Sequence, residues 1–326
     1  MASDFVKITT DRTDVPDTLE TVIQGLQRTP KKLPSFLFYD EEGDRLFREI
    51  MQLPGYYLTR CEQEILQEQS PLIVENFTLD DTPFDLVELG AGDGTKTELL
   101  LRELLNENTA FRYVPVDVSK HVLHLLAERL RQNLPSLTVL PMHGRIEHMH
   151  DVLDETTRKV FLYLGANIGN FTFTEAQTFL RSISEIMHPR DLLLIGFDLR
   201  KDPRLILSAY DDSTGVTARF NLNLLERLNR DFGANFDPAQ FQHFPTYDPE
   251  TGTTRSFLVS RTDQTVRFRD AGVEISFKAW ETIHTEVSVK YDFHDIRRLA
   301  EGSNLDVIDT FTDSKQWFAD VLFMRS

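Results

Sequence analysis

The residues best suited to chemistry lie in one short stretch, Val87-Glu88-Leu89-Gly90-Ala91-Gly92-Asp93-Gly94-Thr95-Lys96-Thr97. An apolar run leads into three alternating glycines and then into a segment with a helical apolar face. Glycines let a backbone approach a ligand closely and adopt positive φ. Exposed amides at the following helix start attract an anion. Two anions suit such a turn: a dinucleotide's pyrophosphate, or the carboxylate in the methionine part of S-adenosylmethionine. The spacing separates them. Gly94 stands two residues after Gly92, where the dinucleotide fingerprint wants three. Glu88, just before the first glycine, also favours the second ligand. Asp117 ends the next apolar run, and a carboxylate there can accept both hydrogen bonds of a ribose diol.

The surrounding pattern supplies the elements that must hold this loop. Residues 15–75 read as helices, with Leu19, Val22, Ile23 and Leu26 at helical spacing and breaks at Pro30, Pro34 and Pro54-Gly55. From about 85 to 200, strands and helices alternate. Strands are expected at Asp85–Leu89, Phe111–Val116, Leu137–Leu140, Val160–Leu164 and Leu192–Phe197. Helices are expected at Lys96–Leu105, at Ser119–Leu130 with Ser119 as N-cap, and at Thr174–Met187. Such alternation implies a parallel, doubly wound sheet. Residues 203–285 break the rhythm. A helix over Val216–Phe232 is followed by short strands with turns at Thr251-Gly252 and Asp270-Ala271-Gly272, which reads as an inserted second lobe. A helix at Phe293–Glu301 and strands at Asp306–Phe311 and Trp317–Met324 close the chain. The expected fold is α/β, a Rossmann-like class I methyltransferase sheet with a second, smaller α+β lobe. Its expected domains are 66–200 plus 290–326, which carries the glycine loop, and 1–65 plus 201–289.

Composition narrows the partners. The 326 residues carry a formal net charge of −17, and the cations are scattered, which argues against nucleic acid as the main partner. The polar N-terminus lacks the apolar core of a signal peptide, and no apolar run approaches a bilayer span. The single cysteine, Cys61, has no internal partner. A cytoplasmic monomer without a membrane partner is expected. The nine histidines form no metal-ligand pattern; His143, His148 and His150 are close in sequence but lack a further ligand set, so no metal is expected.

Longer motifs make a more specific resemblance. They include Leu33-Pro34, Phe38-Tyr39-Asp40, Gly43-Asp44, Leu46-Phe47 and Leu53-Pro54-Gly55-Tyr56-Tyr57-Leu58-Thr59-Arg60. After the glycine loop come Leu164-Gly165-Ala166-Asn167-Ile168-Gly169-Asn170, Ala209-Tyr210-Asp211-Asp212, Gly215-Val216-Thr217, Phe220-Asn221 and Thr285-Glu286-Val287-Ser288. From about Leu33 to the C-terminus the chain resembles the L-histidine Nα-methyltransferases of ergothioneine biosynthesis and their fungal relatives that methylate tryptophan derivatives. The resemblance implies S-adenosylmethionine as cofactor, contacted by Glu88, Gly90, Gly92, Lys96 and Asp117. It implies an amino-acid substrate whose carboxylate is gripped by Asn170 and Tyr210. Glu286 and Ser288 would clamp the imidazole, with a ring N–H donated to the carboxylate. Phe47 and Tyr56 would line the pocket, Gly165 would allow close approach, and Tyr39 would act on the amine. The implied product is the Nα,Nα,Nα-trimethyl betaine, and the alternative substrate is another aromatic amino acid or a modified histidine.

Two positions depart from the family pattern. Arg145-Ile146 stands where the family carries an Asp-Phe pair near the adenine, and Arg cannot accept the adenine amino proton. Ser256 aligns with a Met beside the imidazole, and a smaller residue there would admit a larger or modified side chain.

Overall fold

The structure is a computed structural model that describes residues 6–7, 15–80, 82–144, 153 and 156–326. Arg145, Ile146, His148 and His150 lie outside the described residues. The chain divides into two compact units, one of residues 1–9, 58–200 and 289–326, the other of 10–57 and 201–288. The first boundary falls at the start of the helix Tyr57–Phe77, not at residue 66, because that helix runs unbroken through the intervening residues.

The first unit is built on eight strands: β1 (Val6–Lys7), β2 (Phe84–Leu89), β3 (Phe111–Asp117), β4 (Met142–His143), β5 (Arg158–Tyr163), β6 (Leu192–Asp198), β7 (Leu305–Thr312) and β8 (Phe318–Arg325). Among the described residues their order is β1-β4-β3-β2-β5-β6-β8-β7. The pairings from β1 to β6 are parallel, and β8 is antiparallel to both β6 and β7. Every residue of β2 and β5 is buried, as befits central strands covered on both faces. The helices Thr97–Asn106, Lys120–Asn133 and Phe173–Ile186 make the crossovers. Ser119 caps the second, accepting from the Val122 amide at 3.3 Å, and Thr172 and Glu175 form a capping box on the third.

One expected strand is misplaced. Of Leu137–Leu140 only Val139 bridges, to Tyr113, and the strand proper is Met142–His143. Pro141 stands between them and has no N–H to continue the ladder. The strand order reverses around β2, so the ends of β2, β3 and β5 form the crevice where open α/β sheets bind ligands.

The second unit has its own core. A sheet of order Lys31–Lys32, Thr282–Val289, Thr253–Ser260, Phe241–Asp248 carries the hairpin turn expected at Thr251-Gly252. A separate hairpin pairs Gln264–Phe268 with Val273–Phe277. The helix Val216–Phe232 buries Phe220, Leu224, Leu225 and Leu228, a helical stripe, and Val22, Leu26 and Leu46 from the N-terminal helices join that core. Among the described residues no helix is long and apolar enough to cross a membrane.

Candidate active site

In the first unit, the loop after β2 turns through three residues in the left-handed region, with φ of 69° at Gly90, 54° at Gly92 and 60° at Gly94. A Cβ at Gly94 would lie 2.5 Å from a Leu126 methyl, whereas one at Gly92 would meet open space, so the glycine there answers to its positive φ. Asp117, half-buried at the end of β3, organises this turn. Its Oδ2 accepts from the Gly92 amide at 2.9 Å and its Oδ1 from the Ser119 amide at 2.8 Å. Burial raises its carboxyl above the usual range against the pull of those amides. The Val118 amide adds a third hydrogen bond, so the carboxylate is held rigidly where a diol would be received.

Glu88 turns inward instead. It is 3% exposed; one oxygen accepts from Thr97 Oγ1 at 2.5 Å and the other from the Tyr113 hydroxyl. Burial pushes its carboxyl up to about 7. It thus ties the strand end to the helix start beneath the loop, where the sequence suggested a direct ligand contact.

After β5 the chain makes a second tight turn, with φ of 76° at Gly165 and 57° at Ala166. Left-handed backbone at a residue with a side chain, as at Ala166, is uncommon and concentrates at functional turns. Asn167 Nδ2 donates to the Leu164 carbonyl at 2.8 Å, and the same nitrogen lies 3.3 Å from where a Gly90 Cβ would stand. The two glycine turns therefore meet around one amide side chain. Asn170, half-buried, ends the short helical turn Asn167–Asn170, which the Tyr291 hydroxyl holds by donating to the Ile168 carbonyl at 3.2 Å. Lys96 Nζ is ion-paired with Glu62 and lies 3.7 Å from a notional Gly165 Cβ.

In the second unit, aromatic rings gather. Phe47 contacts Tyr39 at 6.0 Å, Tyr56 at 6.2 Å and Phe220 at 5.9 Å between centroids, the first two edge to face. Tyr39, Phe47 and Tyr56 are all half-buried. Asp40 fixes the backbone beside Tyr39: it caps the helix Glu41–Gln52 through the Gly43 amide at 2.7 Å and accepts from Asn223 Nδ2 at 2.8 Å and Arg230 at 2.7 Å. On the strand Thr282–Val289, Glu286 Oε2 accepts from Ser256 Oγ at 3.2 Å, and the Tyr210 hydroxyl donates to Ser288 Oγ at 2.8 Å. Tyr210 and Ser288 are buried, while Glu286 is half-buried.

The cradle suits S-adenosylmethionine on its own geometry. Three left-handed glycines let the backbone approach a ligand closely, and a carboxylate ends the next strand where a ribose would lie. The comparisons with known proteins agree. Residues 18–325 match a family described as histidine-specific methyltransferase, SAM-dependent. The chain belongs to that family. It is 37% identical over 292 residues to a histidine N-alpha-methyltransferase of Mycobacterium tuberculosis, covering 90% of each chain. It is 36% identical to the enzyme of that name in Mycolicibacterium smegmatis, covering 82% of each. It is 33% identical to ergothioneine biosynthesis protein 1 of Schizosaccharomyces pombe, over 90% of this chain and 38% of that one.

For this SAM-dependent methyltransferase the structure brings Gly90, Gly92, Lys96, Asp117 and Gly165 together in the first unit. It brings Tyr39, Phe47 and Tyr56 together in the second, where Tyr210 pairs with Ser288. Sequence reasoning missed Glu62, Asn167, Phe220 and Asp320. Asn167 and Phe220 sat inside quoted motifs and could have been found there. Glu62 and Asp320 carry no local signal, because a lone acid on a helix or strand reads as solvated until its burial is known.

Proposed function

We propose that this methyltransferase converts L-histidine to its Nα,Nα,Nα-trimethyl betaine, in the sequence of reactions that leads to ergothioneine. The observation that carries the reading is Glu286: a half-buried carboxylate, held by Ser256 on the neighbouring strand, of the chemistry that accepts the N–H of an imidazole.

The first unit would hold S-adenosylmethionine by the loop Gly90–Gly94, Lys96 and Asp117, with Glu88 keeping that loop in shape from below. When bound, the cofactor supplies a methyl group on a positively charged sulfur. The chain's own task is then to present a neutral amine. A free α-amine has a pKa of about 8, so a useful neutral fraction exists near neutrality and no strong base is needed. Positioning supplies most of the acceleration. Asn170 and Tyr210 take the substrate carboxylate, and Glu286 with Ser288 takes the ring. The Tyr39 hydroxyl orients the amine and passes its proton to water before each transfer. The faces of Phe47 and Tyr56 accommodate the growing cation.

Incubation with each of a panel of amino acids and S-adenosylmethionine tests this by mass spectrometry. Mono-, di- and trimethylhistidine are expected. No turnover of histidine under conditions that support another amino acid would overturn it. A second reading, a histidine with a polar ring substituent, draws on Ser256 and Thr254. Both are fully buried on the same face of one strand, and the Thr254 hydroxyl has no hydrogen-bond partner among the described residues. The proposal includes a cytoplasmic monomer: a lone cysteine, Cys61, suits a reducing compartment, and light scattering would check the monomer.

A further inference from the structure

Beneath the two glycine turns of the first unit lies a buried carboxylate that the family reading leaves unassigned. Glu62, on the helix Tyr57–Phe77, is 0% exposed. One of its oxygens takes the Lys96 ammonium; the other accepts from the Gly165 amide at 2.6 Å. The Leu164–Gly165 peptide is therefore held at both ends, by Glu62 on its N–H and by Asn167 on its carbonyl.

The fold makes room for this group deliberately. Gly196 on β6 faces it, and a Cβ there would lie 2.4 Å from Glu62 Oε1. Asp320 on β8 pairs with Gly196 in the sheet register, is 0% exposed, and has no hydrogen-bond partner for either oxygen among the described residues. Burial, reinforced by the charge of Glu62, raises the Asp320 carboxyl well above the ordinary range. Burial pulls the Lys96 ammonium down, yet the charge and hydrogen bond of Glu62 more than offset this and leave it raised. The Lys96 ammonium is thus paired with one buried carboxylate while a second buried acid lies nearby.

We propose that Glu62 is a positioning residue that fixes Lys96 of the cofactor loop and the Leu164–Gly165 peptide in one relation, so that a single carboxylate sets the geometry of both glycine turns. This rests on the reading of the loop as the S-adenosylmethionine site. Glu62 touches neither ligand; it acts through Lys96 and Gly165. Glu62→Gln keeps an acceptor for the Gly165 amide but strips Lys96 of its counter-charge. Glu62→Ala removes both.

Calorimetry with S-adenosylhomocysteine separates the alternatives. Glu62→Gln should weaken binding about tenfold near neutrality. Its affinity should also fall further than that of the wild type as pH rises toward about 10, because an ammonium without its counter-ion titrates earlier. Lys96→Met and the double variant Glu62→Gln/Lys96→Met should bind equally within about twofold, since Glu62 acts through the lysine. In steady-state assays Glu62→Ala, unlike Glu62→Gln, should also raise the KM for histidine about tenfold. Should Glu62→Gln fail to fold, Glu62→Asp carries the test: the charge is kept, so binding weakens without the new pH dependence. Binding of Glu62→Gln that matches the wild type at every pH, or effects that add fully in the double variant, would overturn the inference. A wild type that does not bind S-adenosylhomocysteine would overturn the cofactor reading with it.

Discussion

The two units solve different recognition problems with different materials. The first unit surrounds its glycine turns with ionisable groups: Glu62, Lys96, Glu88, Asp117 and Asp320 are buried or half-buried, and most are locked by backbone amides or by one another. The second gathers rings, Tyr39, Phe47, Tyr56 and Phe220, and hydroxyls, Tyr210 with Ser288 and Ser256 with the carboxylate Glu286. The contrast follows from the ligands. In the proposed reading a zwitterionic, cationic cofactor meets fixed charges, which lose little on binding when already organised. In the same reading a flat ring meets aromatic faces, and one acceptor suffices to read its N–H.

Replacing Asp117 with Ala should break the first region most severely. It removes two amide anchors of the loop as well as the expected ribose contact. With hydrogen bonds to a charged group each contributing about 1.5–3 kcal/mol, affinity for S-adenosylhomocysteine should fall by about 100-fold or more. A loss under tenfold in calorimetry would show that Asp117 does not hold the cofactor.

Glu88 tests whether charge burial in that region is a cost. Its folded carboxyl titrates at about 7, above the ordinary 4.5. The favourable contribution of the neutral form is therefore complete below about 4.5 and is lost as pH rises through about 7. Over that window Glu88→Gln should gain up to about 3 kcal/mol relative to the wild type in urea unfolding. An identical pH dependence of the two proteins would mean that Glu88 is not the titrating group.

Glu286→Ala probes the other region. Histidine turnover, as kcat/KM, should drop about 10- to 100-fold, equivalent to about 1.5–3 kcal/mol, while S-adenosylhomocysteine affinity stays within twofold. Equal damage to both would mean that the two regions are not separable. Ser256→Ala should do least. It removes one 3.2 Å hydrogen bond to Glu286 and should change the KM for histidine by less than about tenfold. A larger change would assign Ser256 a direct contact with substrate.

Much of this was legible before any fold was known. The glycine spacing, the acid at the end of β3 and the cap at Ser119 are local features, so they appear in order along the chain. The helices Val216–Phe232 and Phe293–Glu301 match their expected spans because apolar periodicity and end signals coincide there. The strand at Leu137–Leu140 did not, because two apolar residues around a proline read alike whether or not they pair.

What the sequence by itself determined is the parallel core, the inserted lobe and the cofactor loop, because each is encoded by spacing within a few turns or strands. Only the tertiary structure decided which acids are buried. Glu88 proved to be a strut beneath the loop. Glu62 and Asp320, far apart in the chain, came to flank Gly196, and burial there raises the Asp320 carboxyl. Charge state in a protein interior depends on what surrounds a group from every side, and no stretch of sequence contains that information.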